Sequence, residues 1–148
     1  MSRPPTILIV DDDEGHAILI RQNLGRIGLN NVIIEFRDGQ AVLDFLAGFA
    51  RQTDRPARRN PFLLLLDIRM PKIDGVEVLR RVKADPVLKR LPVIMLTTTD
   101  DPSEVDRCHR LGCNAYIQKP IDFDKFSAAV QNLGEFAKLL NVPLLESW

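Results

Sequence analysis

The stretch FLLLLDIRMPKIDG, residues 62–75, places a carboxylate directly after a run of four leucines. A carboxylate in an apolar core is strongly unfavourable unless a cation or hydrogen-bond donors accompany it. Either the strand leaves the core at Asp67, or a cationic group waits there for its side chain. Pro71 and Gly75 favour the first alternative, because both residue types are typical of a turn. The sequence therefore predicts a buried strand that leaves the core at Asp67.

Four further apolar segments complete a predicted five-stranded sheet. They are continuous rather than alternating, which is typical of strands that are covered on both faces. Helical patterns separate the strands and follow the last one, where an apolar stripe runs from Phe123 to Leu140. This alternation predicts an α/β fold, a doubly wound sheet of five parallel strands with helices on both faces. The predicted strands are residues 6–10, 31–36, 62–66, 92–96 and 114–118.

Local signals mark the ends of two predicted helices. The third helix should end before Asp85, because the residue ahead of a proline disfavours helical backbone. The fourth helix should begin after Asp101, with Glu104 reaching back to that cap. Gly112 is expected to close the same helix.

Composition limits the class of protein. The chain has 148 residues, which predicts one domain over residues 1–148. Twenty basic and twenty acidic residues give zero net charge, so no electrostatic footprint indicates nucleic acid or an anionic membrane surface as a partner. The absence of a long apolar run or a secretion signal indicates a cytoplasmic protein. Cys108 and Cys113 are expected to be reduced thiols.

Polar side chains follow the predicted strands at one edge of the sheet. In an open parallel sheet, ligands bind beyond the carboxyl ends of the strands, where the strand order reverses. Aspartates follow the first and third strands, threonines follow the fourth, and a lysine follows the fifth. We therefore expect three carboxylates, a hydroxyl and an ammonium group to converge at one edge. The residues that directly follow the strands are Asp11, Asp12, Asp13, Asp67, Thr97, Thr98, Thr99 and Lys119.

These residue types predict a metal-assisted acceptor of phosphoryl groups. Carboxylates without histidine or cysteine suit a hard ion such as Mg²⁺, which would also offset the repulsion among Asp11, Asp12 and Asp67. Lys119 can neutralise Asp67 or bind a phosphoryl oxygen, and Thr97 can donate its hydroxyl to the transferred group. A carboxylate beside Mg²⁺ and a lysine is an activated nucleophile that would form an acyl phosphate. Positioning and electrostatic stabilisation would carry most of that transfer.

Four motifs in register resemble the signatures of the receiver domain of two-component response regulators. They are ILIVDDD (7–13), LLLLDIRMPKIDG (63–75), VIMLTTT (93–99) and AYIQKP (115–120). The resemblance covers residues 6–140 and leaves a short tail, residues 141–148. It implies the flavodoxin-like (βα)5 fold and a sensor histidine kinase or phosphotransfer protein as the partner.

The resemblance also assigns roles to individual residues. Asp67 would be the phosphoacceptor, Thr97 the switch hydroxyl and Lys119 the phosphate-binding lysine. The implied Mg²⁺ ligands are Asp11, Asp12, Asp67 and the backbone carbonyl of Arg69. Lys119-Pro120 resembles the family's cis-proline dipeptide.

The resemblance also implies roles for Tyr116, Arg69 and Thr99. Tyr116 matches the switch aromatic, and the alternative is an ordinary half-buried strand tyrosine. Arg69 and Thr99 lie at positions that flank the water that hydrolyses the acyl phosphate. An arginine departs from the small polar residues that are commoner there, which leaves the lifetime of the phosphorylated form open.

Two other classes of protein share parts of this pattern. A Mg²⁺-dependent phosphohydrolase would need a second acid two residues after its aspartyl nucleophile, where Arg69 stands. An enzyme is therefore not expected. A receiver-like scaffold that takes no phosphate typically loses the acceptor, the acidic pair or the lysine, and the sequence retains all of them.

The chain after the predicted fifth helix is short, so we expect a stand-alone receiver that signals by altered protein–protein contacts. The motifs most resemble single-domain regulators that are paired with cyanobacterial and bacterial phytochrome kinases. We expect a homodimer through the fourth helix, fifth strand and fifth helix, to which the apolar tail contributes. The alternative is a tail that folds back on its own core.

Other tempting residues have two interpretations each. The Arg-rich segment 50–61 is a solvated loop or a docking surface. Ile18 and Leu19 are partly exposed apolar residues or a contact for the kinase's histidine-bearing helix. His16 is a metal ligand or a phosphohistidine, or it is a surface residue near the kinase-docking face, and we expect the latter. His109 is expected at the surface.

Overall fold

The computed structural model describes residues 6–26, 31–51, 62–97, 101–118 and the single position 128. Strands and helices alternate along the described part of the chain. In order they are β1 (Thr6–Val10), α1 (Glu14–Arg26), β2 (Ile33–Phe36), α2 (Gly39–Arg51), β3 (Phe62–Leu66), α3 (Gly75–Ala84), β4 (Val93–Thr97), α4 (Pro102–Leu111) and β5 (Ala115–Gln118).

The strands form one parallel sheet in the order β2-β1-β3-β4-β5. This confirms the predicted doubly wound α/β fold. The predicted fifth helix lies outside the described residues except for position 128. The tail 141–148, Lys119, Pro120 and most of the Arg-rich segment also lie outside them.

The leucine run of β3 is continuous because both faces of the sheet are covered. Leu63 and Leu65 pack into a cluster with Ile7, Ile9 and residues of α1. Leu64 and Leu66 point to the opposite face, into a cluster that α2, α3 and α4 complete. All four leucines are at most 1% exposed. Burying a leucine side chain stabilises a fold by roughly 1.5–3 kcal/mol, so β3 contributes strongly to the stability of the fold.

The helix ends follow the predicted signals. α3 ends at Ala84, directly before Asp85, as predicted. Asp101 caps α4 by accepting hydrogen bonds from the Ser103 amide and hydroxyl, and these bonds lower the pKa of its carboxyl group. Gly112 closes α4 with a left-handed φ of 104°, a conformation that favours glycine. The predicted contact from Glu104 back to the cap stays a prediction.

β2 begins at Ile33 and not at residue 31, and β4 runs from Val93 to Thr97 and not over residues 92–96. β5 begins one residue later than the sequence pattern suggests, at Ala115. The cause is Asn114, which bridges to the start of β4 from outside the strand. Its side-chain Oδ1 accepts a hydrogen bond from the Val93 backbone amide at 2.9 Å, and its backbone amide donates to the Val93 carbonyl at 2.8 Å.

The remaining predictions within the described residues concern thiols, histidines and membrane spans. Cys108 and Cys113 are buried free cysteines, and burial raises the pKa of Cys108 to about 11. His109 is exposed, as predicted, and His16 is half-exposed. Among the described residues, no helix combines the length and the apolar character that a membrane crossing requires.

Candidate phosphoacceptor site

The site lies where the order of strands reverses. β1 pairs with β2 on one side and with β3 on the other, so the crossover after β1 leads to one side of the sheet and the crossover after β3 leads to the other side, towards β4. The backbone ladder continues one residue past both central strands. The Asp67 amide donates to the Val10 carbonyl at 2.9 Å, and the Asp11 amide donates to the Phe36 carbonyl at 3.1 Å. Both aspartates are therefore held by the sheet itself.

Three carboxylates converge at this edge. Asp11, Asp12 and Asp67 each have a carboxylate oxygen, and these atoms all lie within 4.8 Å of one another. Asp11 is 2% exposed and Asp67 is 8% exposed, whereas Asp12 is exposed. Buried carboxylates of like charge repel and need a compensating cation. A cluster of oxygen donors without histidine or cysteine fits Mg²⁺.

The burial of Asp67 corrects the sequence prediction that the chain leaves the core there. β3 does end at Leu66, but the following loop folds back over the strand end. The Gly75 amide donates to the Ile68 carbonyl at 2.7 Å. A Cβ atom on Gly75 would lie only 2.1 Å from the Asp67 carbonyl oxygen, so only glycine permits this approach.

The third aspartate after β1 has a different task. Asp13 accepts from the His16 amide at 3.1 Å and thereby caps α1. Its own amide donates to Asp11 Oδ1 at 2.9 Å, which orients the buried carboxylate. His16 Nδ1 lies 3.9 Å from Asp11 Oδ2, so the first turn of α1 lies against the acidic cluster.

An open cleft of about 390 Å³ adjoins the carboxylates. Sequence reasoning missed two of its walls, Asp74 and Glu104. Both residues lie at the starts of helices that directly follow strands. Such positions lie at the edge of the sheet where ligands bind, so they could have been predicted as part of the site. Asp74 caps α3 through a 2.9 Å bond from the Glu77 amide. The cleft is lined by Asp12, Ile68, Arg69, Met70, Asp74 and Glu104.

The other predicted site residues are described in part. Thr97 ends β4, and its Cα atom pairs in register with Gln118, the residue before Lys119. Its backbone therefore lies at the same edge of the sheet as the carboxylates. Thr98, Thr99 and Lys119 lie outside the described residues. Tyr116 in β5 is half-buried, with its ring centroid 6.5 Å from that of His109 in α4.

The fold and the acidic edge together define a class of protein. The sequence matches the family model of the response regulator receiver domain over residues 7–131. The chain belongs to this family. Its members are phosphoryl-accepting switches of two-component signalling, and they work with histidine kinases or phosphotransfer proteins.

Particular relatives agree over nearly the whole chain. The crystal structure of a response regulator receiver domain from Rhodospirillum rubrum has a TM-score of 0.83 at 43% identity, covering 90% of this chain and 94% of that one. Response regulator Rcp1 of Synechocystis sp. is 35% identical over 136 residues, which are 91% of this chain and 90% of Rcp1. The structure of its Mn²⁺-bound form has a TM-score of 0.78 at 34% identity, covering 90% and 94%. The phosphorylated cyanobacterial phytochrome response regulator RcpA has a TM-score of 0.79 at 30% identity, covering 92% and 95%.

Proposed function

We propose that this protein is a single-domain response regulator in which Asp67 accepts a phosphoryl group in a Mg²⁺-dependent reaction. The observation that carries the proposal is the carboxylate cluster. Asp11, Asp12 and Asp67 have oxygen atoms within 4.8 Å of one another at the ends of adjacent parallel strands. A bound Mg²⁺ would offset their charge and that of the phosphoryl oxygens.

The transfer needs little beyond positioning. An oxygen of the Asp67 carboxylate attacks the phosphorus of a phosphohistidine, and a P–O bond forms as the P–N bond breaks. The imidazole nitrogen leaves with the electron pair and takes up a proton. The hydrogen bond from Asp67 to Val10 and the contact with Gly75 keep the nucleophile in place. Thr97 and Lys119 would donate to the phosphoryl oxygens, and the Arg69 carbonyl would complete the metal site.

The same site argues against an enzyme with an external substrate. Hydrolysis of a phosphate ester through an aspartyl phosphate needs an acid that protonates the leaving group. The position two residues after Asp67 holds Arg69, which cannot donate a proton at neutral pH. The reactions of the site are then its own phosphorylation and dephosphorylation.

A sensor histidine kinase or a phosphotransfer protein is the partner we propose, in the cytoplasm, where kinases use ATP. The likeness to RcpA, a phytochrome response regulator, favours a phytochrome kinase. Ile18 of α1 is 44% exposed, and we propose that it contacts the kinase's histidine-bearing helix. Zero net charge speaks against nucleic acid or a membrane surface as a partner.

We also propose that residues 1–148 are one domain that signals as a homodimer. Thr97 and Tyr116 would reshape the face made by α4, β5 and the predicted fifth helix, and the tail 141–148 would add to it. Twofold pairing is the commonest assembly of soluble proteins. Sedimentation of the full chain and of a variant that ends at Leu140 tests this, and a monomer in both phosphorylation states at tens of micromolar contradicts it.

The acceptor is tested by Asp67→Asn with Asp44→Asn as the matched control. Asp44 is an exposed aspartate of α2, so its loss removes the same charge far from the cluster. We expect labelling by acetyl phosphate or a phosphorylated kinase to vanish in Asp67→Asn and to persist in Asp44→Asn. EDTA should stop labelling of the wild type. Labelling of Asp67→Asn at the wild-type rate would refute the proposal.

A further inference from the structure

An ion pair joins two residues that line the acidic cleft. Arg69 lies in the loop after β3, two residues past Asp67, and Glu104 lies in the first turn of α4. Arg69 Nη2 is 3.5 Å from Glu104 Oε2, and the two side chains are 67% and 21% exposed. Both residues line the cleft together with Asp12. The pair therefore joins the loop that carries the acceptor to the helix that follows β4.

We propose that the Arg69–Glu104 pair is a latch that phosphorylation of Asp67 opens. The guanidinium leaves Glu104 for the phosphoryl oxygens, and the start of α4 loses its tie to the loop after β3. The proposal rests on the proposed function, since it takes Asp67 as the acceptor.

The position of the cleft brings the phosphoryl group within reach of Arg69. Asp12 is part of the cleft wall, and one of its carboxylate oxygens lies within 4.8 Å of an Asp67 oxygen. A phosphoryl group added to Asp67 on this side enters the space that Arg69 also lines. The arginine needs to change only its side-chain rotamers, because its backbone belongs to the same loop.

The exchange is favourable because the two anions differ. A protein-bound phosphoryl group carries roughly −1.5 to −2 charges and three acceptor oxygens at neutral pH. A guanidinium binds such a group through two parallel hydrogen bonds. The Arg69–Glu104 contact is 3.5 Å long and involves a largely exposed arginine, and exposed pairs of this kind are weak.

Loss of the latch acts on α4 through two acids. Arg69 faces Glu104, and its charge also lowers the pKa of the cap residue Asp101, after the larger effect of the Ser103 hydrogen bonds. When the guanidinium turns to the phosphoryl group, both acids at the start of α4 lose a counter-ion. The other end of α4 carries His109, next to Tyr116 of β5. A shift of the helix is therefore transmitted to the face that we propose for dimer contacts.

A double-mutant cycle tests the latch. The measured quantity is the affinity of the full chain for beryllium fluoride, an analogue of the acyl phosphate, in the presence of Mg²⁺. Glu104→Gln removes the competitor, so binding should tighten by about 2- to 5-fold, the equivalent of one exposed ion pair. Arg69→Gln should weaken binding by a similar factor. In the Arg69→Gln background, Glu104→Gln should have no effect.

The matched control is Asp106→Asn. It removes one carboxylate from the same helix, but that carboxylate pairs with Arg110 of α4. We expect the affinity of this variant to equal that of the wild type. An equal tightening in Asp106→Asn and Glu104→Gln would mean a general charge effect and would overturn the latch.

Amide hydrogen exchange supplies a second measurement. The Glu104 and Val105 amides donate to the Asp101 carbonyl at 3.1 Å and report the first turn of α4. In the wild type, beryllium fluoride should speed the exchange of these amides. In Glu104→Gln, the amides at positions 104 and 105 should exchange faster than in the wild type even without beryllium fluoride. Unchanged exchange in both cases refutes the latch.

The failures of the two proposals are distinguishable. If the wild type binds beryllium fluoride and Asp67→Asn does not, the acceptor assignment stands. Glu104→Gln then overturns the latch alone if its affinity equals that of the wild type. Equal binding by the wild type and Asp67→Asn would refute the proposed function itself.

Discussion

Replacement of Gly75 by alanine tests how the acceptor is held. The new Cβ would lie 2.1 Å from the Asp67 carbonyl oxygen, 1.3 Å short of the 3.4 Å at which ordinary contact begins. The neighbouring atoms are backbone, and β3 is paired on both sides, so the loop rather than the strand must move. That movement breaks the 2.7 Å bond from the Gly75 amide to Ile68. Overpacking together with the lost hydrogen bond should lower the free energy of unfolding by about 2–4 kcal/mol.

Function should suffer as well, because the displaced loop carries the acceptor's own carbonyl. A shift of about 1 Å in a reacting group can cost up to ~100-fold in rate. We therefore expect labelling by acetyl phosphate to slow by at least ~10-fold in the folded fraction of Gly75→Ala. Urea unfolding measures the stability, and labelling well below the unfolding midpoint measures the rate.

Gly25→Ala is the matched control for this experiment. Gly25 is exposed in α1, and a Cβ atom added to it would meet nothing within 4 Å. Alanine should leave the free energy of unfolding unchanged or raise it by at most roughly 0.5–1 kcal/mol, since alanine favours helical backbone more than glycine does. Labelling should stay unchanged. If Gly75→Ala unfolds and labels like the wild type, the close approach at Asp67 is wrong.

Three further substitutions test single features of the fold. Lys72 has a left-handed φ of 68°, which is strained for a residue with a Cβ atom. Lys72→Gly should therefore raise the free energy of unfolding by about 0.5–1 kcal/mol in urea titrations. A lower free energy of unfolding would show that the backbone of Lys72 is not strained. Asn114→Ala leaves the amide of the buried Val93 without its 2.9 Å acceptor, so it should cost about 1–3 kcal/mol, and no loss would mean that water replaces the bond. The pKa of the half-buried Glu77 is lowered from 4.5 to about 2 by hydrogen bonds from Arg80 and Arg81 of α3. Its stabilisation is present above pH 4.5 and is lost as the pH falls towards 2, so Glu77→Gln should flatten that part of the stability–pH curve, and an identical curve would show that the pairs add nothing.

Much of the fold could be predicted because its signals are local. The strands are short runs that are mostly apolar or β-branched, and the capped helix α4 carries its signals within a few residues, at Asp101 and Gly112. The boundary of β5 could not be predicted, because Asn114 is bound to Val93, 21 positions earlier in the chain. A pairing at that distance has no signature in the sequence around either residue.

The acidic site divides in the same way. The sequence alone determined that Asp11, Asp12 and Asp67 meet, because parallel strands end at a common edge and each acid directly follows its strand. Only the tertiary structure decided that Asp67 stays buried, because the loop after β3 folds back until Gly75 touches the acceptor's backbone. The pairing of Arg69 with Glu104 was decided there too. Both contacts depend on how separate elements pack against each other in three dimensions. The residues next to each partner in the sequence carry no signal of that packing.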